Sequence, residues 1–432
     1  MSGPAPTALR VGIVAEPVPG HLNPALAIGR ELRARGHDVV LFGIADVAER
    51  AAASGLRFAT VGERELPPGA LRSRWLSPAH TRGARGLLGS IRLHVEETEV
   101  LCRDVVAHVR EDPLDVLMVD QLQVCGRYLA DATGATLVTV CAGPGVLRLD
   151  DGSFPPPFVD RAPSRGKLAR ALNTAGFAGM WLAAAPRIRV TNRHARSAGL
   201  PVRRALADLA SPHVQICALV PELNFGVVPP AGSPLRYVGP LVDDRRPAVP
   251  FPWERLDGRP LVYASLGTVQ DRAEAIFAVI AEACAPLPVQ LVVTLGDELG
   301  GRPRPELPGD PIVVSHAPQL DLLDRASLCI THCGMNTTME AAAAGVPLVG
   351  IPIIYDQPAV AARIRHAGLG RTIPYQRLDV AGLRAAVSAV LAEPGYRARA
   401  AAVAASCRRS GGPAAAADAV EAASGLTAER ST

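Results

Sequence analysis

The residues best placed to do chemistry stand where apolar, strand-like runs end. The run Ser327–Thr331 passes into His332-Cys333-Gly334-Met335-Asn336-Thr337-Thr338-Met339-Glu340. A glycine there permits a tight turn. A helix starting just beyond it offers free N–H groups and the positive end of its dipole, which suits a diphosphate. His332 and Thr337 add side-chain donors, and Glu340, about one turn further on, can accept from ribose hydroxyls. The single lysine, Lys167, is far away in sequence, so this is a nucleoside-diphosphate pattern without a phosphate-binding lysine.

Three further segments follow strand-like runs in the same half. Ser265-Leu266-Gly267-Thr268 offers close backbone approach and hydroxyls for phosphate. His316-Ala317-Pro318-Gln319-Leu320 offers a flat ring and a fixed turn for a nucleobase, and Tyr355-Asp356-Gln357 a carboxylate and an amide for sugar hydroxyls. Each has a plainer alternative: an ordinary turn, a helix cap, a satisfied core histidine. Their recurrence in chain order is what packing alone does not explain. In the first half, His21 ends a strand at a glycine turn, where imidazole can take a proton near neutral pH. Asp120, at the end of the run Asp115–Val119, is its candidate partner. His21 could also cap the following helix, and Asp120 a helix starting at Gln121.

These residues need a scaffold that collects strand ends. Arg10–Ala15 reads as a buried strand, Gly20-His21-Leu22-Asn23-Pro24 as a turn, Pro24–Arg35 as a helix stopped by Gly36, and Asp38–Phe42 as the next strand. That βαβ order implies a doubly wound parallel sheet. Further strands are expected at Arg57–Val61, Asp115–Val119 and Thr136–Val140, with Gln121–Thr133 helical. The stretches Glu63–Ser90 and Leu147–Pro186 read as loop-and-short-helix insertions facing ligand. A second series places strands at Leu261–Ser265, Val289–Leu295, Pro311–Val314, Leu328–Thr331 and Pro347–Ile351. Its helices fall at about Ala273–Ala285, Asn336–Ala344 and Pro358–His366, with three more after Val380. The expected fold class is therefore α/β, two Rossmann-like doubly wound domains facing across a cleft. Residues 1–225 are expected to form the first domain, 226–255 a Pro- and Gly-dense linker, 256–410 the second domain, and 411–432 a terminal helix and tail.

Composition agrees with this and narrows the class. A chain of 432 residues exceeds one typical core. Its formal charge of +4 is small, and with no block of like charge a nucleic-acid partner is not expected. Eight scattered cysteines form no CxxC pair, and neither a metal-ligand spacing nor a complete GxGxxG appears, so no metal and no bound cofactor are expected. Met1–Leu9 lacks a charged n-region and no apolar run reaches spanning length, which makes a cytoplasmic location the expectation. The Arg-rich stretches Arg72–Arg92 and Arg187–Arg204, with Trp75 and Trp181, are candidates for contact with a membrane surface.

Together His332-Cys333-Gly334-Met335-Asn336-Thr337, Glu340, Gly345-Val346-Pro347 and Asp356-Gln357 resemble the signature of the family 1 nucleotide-sugar glycosyltransferases of the GT-B fold. The likeness is close from about Val262 to Gly370, and looser through Gly20-His21-Leu22-Asn23-Pro24 and Val119-Asp120-Gln121. Within the family the chain is similar to bacterial macrolide and zeaxanthin glucosyltransferases. The resemblance implies that His332, Gly334, Asn336 and Thr337 hold a diphosphate, Glu340 the ribose, Gln319 the nucleoside, and Asp356 and Gln357 the hexose. Relatives commonly carry Trp or Tyr where this chain has His316, which leaves UDP against dTDP open. It further implies an inverting, metal-independent transfer to a lipophilic alcohol, carotenoid-like or polyketide, with His21 as base and Asp120 as its partner. A nucleotide-sugar-binding auxiliary protein and a sugar-nucleotide epimerase remain the other readings, and a homodimer stays open.

Overall fold

The computed structural model describes residues 8–76, 83–144, 152–242, 249–267, 273–296 and 306–428. The first half runs β1 (Arg10–Val14), α1 (Pro19–Ala34), β2 (Asp38–Gly43), α2 (Ala48–Ala53), β3 (Arg57–Thr60), α3 (Gly83–Glu111), β4 (Val116–Asp120), α4 (Gly126–Thr133), β5 (Thr136–Cys141), α5 (Lys167–Ser197), β6 (Val214–Cys217) and β7 (Leu235–Tyr237). The second runs β8 (Leu261–Ser265), α6 (Ala273–Cys284), β9 (Gln290–Thr294), β10 (Ile312–Val314), α7 (Gln319–Leu323), β11 (Ala326–Thr331), α8 (Met335–Ala343), β12 (Leu348–Gly350), α9 (Gln357–His366), β13 (Gly370–Thr372), α10 (Val380–Ala392), α11 (Pro394–Arg409) and α12 (Gly412–Ala428). Runs such as Val-Val-Leu-Phe in β2 and Val-Leu-Met-Val in β4 are apolar on both faces because helices cover both faces of a parallel sheet.

The strand orders are β3-β2-β1-β4-β5-β6-β7 and β10-β9-β8-β11-β12-β13. In each sheet the direction of winding reverses once, between β1 and β4 and between β8 and β11. Loops leaving the carboxyl ends there diverge and open a crevice. Register aligns Val14 with Val119 in one sheet and Ser265 with Thr331 in the other. The segments that carry His21, Asp120, Gly267 and His332 thus start at these two points.

Several boundaries differ from the sequence reading. Helix α1 begins at Pro19, so Gly20 and His21 lie in its first turn and Pro24 is inside it. Proline fits the helix backbone there, but it has no N–H to give the Gly20 carbonyl four residues back. Helix α4 begins at Gly126, because Asp120 draws the Leu122 N–H into a turn (Oδ1, 2.8 Å) and Gln121 N–H still bonds Val140 O. Part of the stretch read as loops and short helices is the 31-residue α5, in which alanines outweigh the single Pro186. Residues 226–255 contain β7, a three-residue edge strand too short to show any period.

Helix α12 returns to the first half. Ala416, Ala417, Val420 and Ala423 make a fully buried stripe against α1 and strands β4–β6, small enough to let the helices approach closely. Arg35 bonds Asp418 at 2.6 Å, and His37 Nε2 meets Glu421 at 2.9 Å. Between the halves, Arg363 donates to Asn224 Oδ1 at 2.9 Å and stacks over Phe225. Ser406 donates to Glu222 at 2.9 Å.

Candidate active site

Two histidine sites face each other from the two crevices. His21, in the first turn of α1, has Nδ1 2.7 Å from Asp120 Oδ2, while Asp120 Oδ1 is held by the Leu122 N–H. The carboxylate side chain is 2% exposed and the imidazole 23%. With Nδ1 protonated toward the carboxylate, the neutral ring carries its lone pair on Nε2. Burial alone would push this imidazole down. Asp120, with Glu16 and Asp356 further off, overrides it and raises the ring from its ordinary 6.5 to about 9. Neither residue is a mere helix cap, since no side-chain cap bond is made at the start of α1 or α4.

The second site is built on an uncapped helix. Cys333 adopts a left-handed φ of 66° and Gly334 is the N-cap of α8, which has no side-chain acceptor to offer. Thr338 N–H already bonds Gly334 O, leaving the N–H groups of Met335, Asn336 and Thr337 as the orphan donors of the helix start. The His332 ring lies between two glycines. A Cβ on Gly334 would come within 2.4 Å of it and one on Gly267 within 2.8 Å. Burial pushes His332 down to about 4, only partly offset by the backbone of Ser265. It is thus a neutral ring with Nδ1 unpartnered among the described residues.

Most of the expected donor residues meet here: Ser265, Gly267, Gly334 and Thr337 with His332, and Glu340 and Gln319 one turn deeper. Thr268 lies outside the described residues. Four residues are engaged differently from the expectation. Gln319 and Glu340 hydrogen-bond each other, and Gln319 Oε1 accepts from the buried Tyr263 hydroxyl at 2.9 Å. Gln357 Oε1 accepts the N–H groups of Ile353 and Ile354 at 2.8 and 2.9 Å, so it has only its amide N–H to offer a sugar. Asn336 reaches across the cleft, and its Nδ2 donates to Gly20 O at 3.1 Å, the carbonyl that Pro24 leaves without a helical donor. His316 is exposed at the rim. Asp356 lies across the cleft from Gly143, where a Cβ would stand 3.1 Å from its Oδ2; burial raises its carboxyl, opposed by His21.

Sequence reasoning missed a polar cluster on the other side of Asp120. Glu16, His94 and Glu97 converge from the end of β1 and from α3, with Gln123 and Arg187 beside them. The available signals were Glu16 breaking an apolar run and a His-x-x-Glu spacing on one helix face. Adjoining it, a cavity of about 140 Å³ is lined by Asp120, Gln123, Met180, Arg187 and Leu209. Trp75, a candidate for membrane contact, turns inward, its indole N–H donating to Glu16 Oε2 at 3.3 Å. Among the described residues no helix is long and apolar enough to cross a membrane.

Comparison with known proteins agrees with the fold. Residues 254–406 match the family described as UDP-glucoronosyl and UDP-glucosyl transferase. The chain is 30% identical over 414 residues to a zeaxanthin glucosyltransferase of Pantoea ananas, covering 94% of each chain. It is 28% identical over 407 residues to the 4'-demethylrebeccamycin synthase of Lentzea aerocolonigenes, covering 91% of this chain and 94% of that one. In fold it is similar to the glycotransferase of kitacinnamycin (TM-score 0.73, 23% identity, 97% of this chain and 99% of that one). It is likewise similar to the glycosyltransferase VinC in complex with dTDP (TM-score 0.69, 20% identity, 97% and 100%).

Proposed function

The chain belongs to the family 1 glycosyltransferases, a GT-B enzyme, and from that premise we propose that it transfers a hexose from a UDP- or dTDP-sugar to a hydroxyl of a lipophilic natural product, with inversion and with no metal at the diphosphate. The observation that carries this reading is the 2.7 Å contact between His21 Nδ1 and Asp120 in front of the open second site. Transfer to an alcohol requires removal of a proton as the C–O bond forms. His21 Nε2 takes that proton while the acceptor oxygen attacks the anomeric carbon from the face opposite the departing diphosphate. The bond to the diphosphate breaks, its electrons leave with the nucleotide, and Asp120 stabilises the imidazolium. The transition state has oxocarbenium character.

The leaving diphosphate gathers negative charge. The orphan N–H groups of α8, the Thr337 hydroxyl and the His332 ring are the donors that would meet it. His332 is suited as a neutral donor rather than a cation, because burial keeps it unprotonated well below neutrality. Glu340, aligned by Gln319, would take the ribose hydroxyls, while Asp356 and the Gln357 amide would take those of the hexose. The acceptor class is supported by the relatives, which are named for zeaxanthin and for 4'-demethylrebeccamycin. The apolar part of the lining behind Asp120, such as Met180 and Leu209, suits a lipophilic acceptor.

The test is to incubate the protein with UDP-glucose or dTDP-glucose and a panel of lipophilic alcohols, with and without EDTA, and to assign the anomeric configuration by NMR. A β-linked product from an α-linked donor is expected in both conditions. A retained anomer, a rate that depends on added Mg2+ or Mn2+, or conversion of the donor into another sugar nucleotide without acceptor would each overturn part of the reading.

A further inference from the structure

Glu16, His94 and Glu97 each have one atom fixed by a neighbour and one turned toward a common point. Glu16 Oε2 accepts from Trp75 Nε1 (3.3 Å), and Glu97 Oε1 accepts from Gln123 Nε2 (3.0 Å). His94 Nδ1 donates to Ser90 O at 2.7 Å, which leaves Nε2 as the lone-pair atom of the neutral ring. Glu16 Oε1 and Glu97 Oε2 are buried without a hydrogen-bond partner among the described residues, in side chains that are themselves 3% and 5% exposed. One ligand atom from each of the three residues lies within 4.8 Å of the others.

We propose that Glu16, His94 and Glu97 form a site for one divalent cation, Zn2+ in preference to Mn2+ or Mg2+, that ties the β1–α1 loop to α3. Four features support it. Two carboxylates and an imidazole are a borderline-soft ligand set that suits zinc. Ligands of one ion at about 2.0–2.2 Å stand up to about 4 Å apart, so a side-chain adjustment of about an ångström closes the triad. Each ligand already has the outer partner that metal ligands have: an indole N–H, an amide N–H and a backbone carbonyl. Two buried carboxylate oxygens with nothing to accept from are costly to leave so, and a cation removes that cost. Two positive groups could compete: the Arg187 guanidinium, and the His21 ring, which Glu16 helps to raise. Arg187 Nε donates to Thr98 Oγ1 (3.1 Å) and Nη2 to Gln123 Oε1 (3.0 Å), and Nη2 stays 4.0 Å from Glu16 Oε1, outside hydrogen-bond reach.

The consequence is positional. Glu16 lies two residues beyond β1 and five before His21, so an ion at this point would fix the entry to α1 against α3 on the acceptor side of Asp120. The site is separate from the diphosphate site and does not rest on the transfer reaction.

The experiment starts from wild-type protein dialysed against EDTA and then against metal-free buffer. Zn2+, Mn2+ and Mg2+ are titrated separately by calorimetry, with thermal melts alongside. One Zn2+ per chain is expected, with affinity falling from Zn2+ to Mn2+ to Mg2+ and a higher melting temperature in Zn2+. Glu97→Gln and His94→Asn should each weaken Zn2+ binding by about tenfold or more, while His108→Asn on the outer end of α3 should leave it unchanged. Co2+ bound in place of Zn2+ should give a d–d spectrum without a thiolate charge-transfer band, a readout that needs no variant. Absence of binding to the wild type, a thiolate band, or binding that survives both folded variants would overturn the site.

Discussion

The two crevices share a topology and differ in what they do to a histidine. Each lies where its sheet reverses direction, β1 beside β4 in one half and β8 beside β11 in the other. At the end of β4 stands Asp120, and its carboxylate turns the His21 ring into a strong base near 9. Beyond β11 stands His332 itself, between Gly267 and Gly334 with no carboxylate against it, and burial holds it near 4. One arrangement stabilises the positive ring, and the other forbids it. The difference comes chiefly from Asp120, and it teaches that the fold supplies a place where side chains converge while the neighbouring residue sets the charge state.

The largest break in that contrast is removal of the base. His21→Ala should lower kcat about 10³-fold with Kd for UDP or dTDP changed less than about twofold. Equal losses in rate and nucleotide affinity would remove His21 from the chemistry. Asp120→Asn comes next, at about 10²-fold in kcat, because the amide no longer fixes the tautomer or stabilises the imidazolium.

The same residue sharpens the contrast through pH. The base must be neutral to act, and its free-protein value is about 9, so kcat/KM should rise about tenfold per pH unit from 7 and level off near 9. Asp120→Asn should move the plateau toward lower pH; a profile flat from pH 6 to 9 in the wild type would contradict the assignment. The two rings should also tilt stability in opposite directions. His21 is raised above its ordinary 6.5, so its contribution is complete below about 6.5 and is lost as pH climbs toward 9. His332 is depressed, so its neutral burial costs stability as pH falls from 6.5 toward 4. Melting temperatures of His21→Ala and His332→Ala against wild type between pH 4 and 9 read both slopes.

On the donor side, His332→Ala should weaken UDP or dTDP binding by about tenfold, the cost of one donor to a charged group. Calorimetry without acceptor measures it. An unchanged Kd would leave the α8 N–H groups as the whole diphosphate site.

Much of this was legible in the sequence for a physical reason. Buried parallel strands are continuous apolar runs, and the residues that end them are exposed to selection by chemistry rather than packing. His332 and Asp120 were therefore visible as interruptions at strand ends, and His21 and Glu340 in the helices that follow such ends. What stayed hidden depended on partners distant in the chain. The Glu16–His94–Glu97 cluster joins segments 78 residues apart, and the commitment of Gln357 Oε1 to Ile353 and Ile354 is a matter of side-chain direction. The inward turn of Trp75 is invisible to a count of aromatic residues among arginines. The start of α1 was misplaced because Pro24 reads as a helix boundary, whereas a proline in the sixth position of a helix costs one hydrogen bond that another group can replace.

That replacement yields the smallest and most specific prediction. The Gly20 carbonyl, deprived of a donor by Pro24, accepts from Asn336 Nδ2 across the cleft at 3.1 Å. One atom in the turn that carries the base thus touches the helix that carries the diphosphate donors, and the two crevices meet there. Pro24→Ala restores an amide N–H four residues from Gly20 and sets an intrahelical bond in competition with Asn336. The helix gains a bond while the cleft loses one, so the melting temperature should change little and kcat/KM should fall about two- to threefold. Asn336→Ala alone also removes the amide from the donor site, which is why the pair must be read as a cycle. If Gly20 O is the shared atom, Pro24→Ala should cost less in the Asn336→Ala background than in the wild type, with a coupling of about 0.5 kcal/mol or more. Costs that add within about 0.3 kcal/mol would mean that the two crevices are joined through the packed faces around Arg363 and Ser406 rather than through this carbonyl.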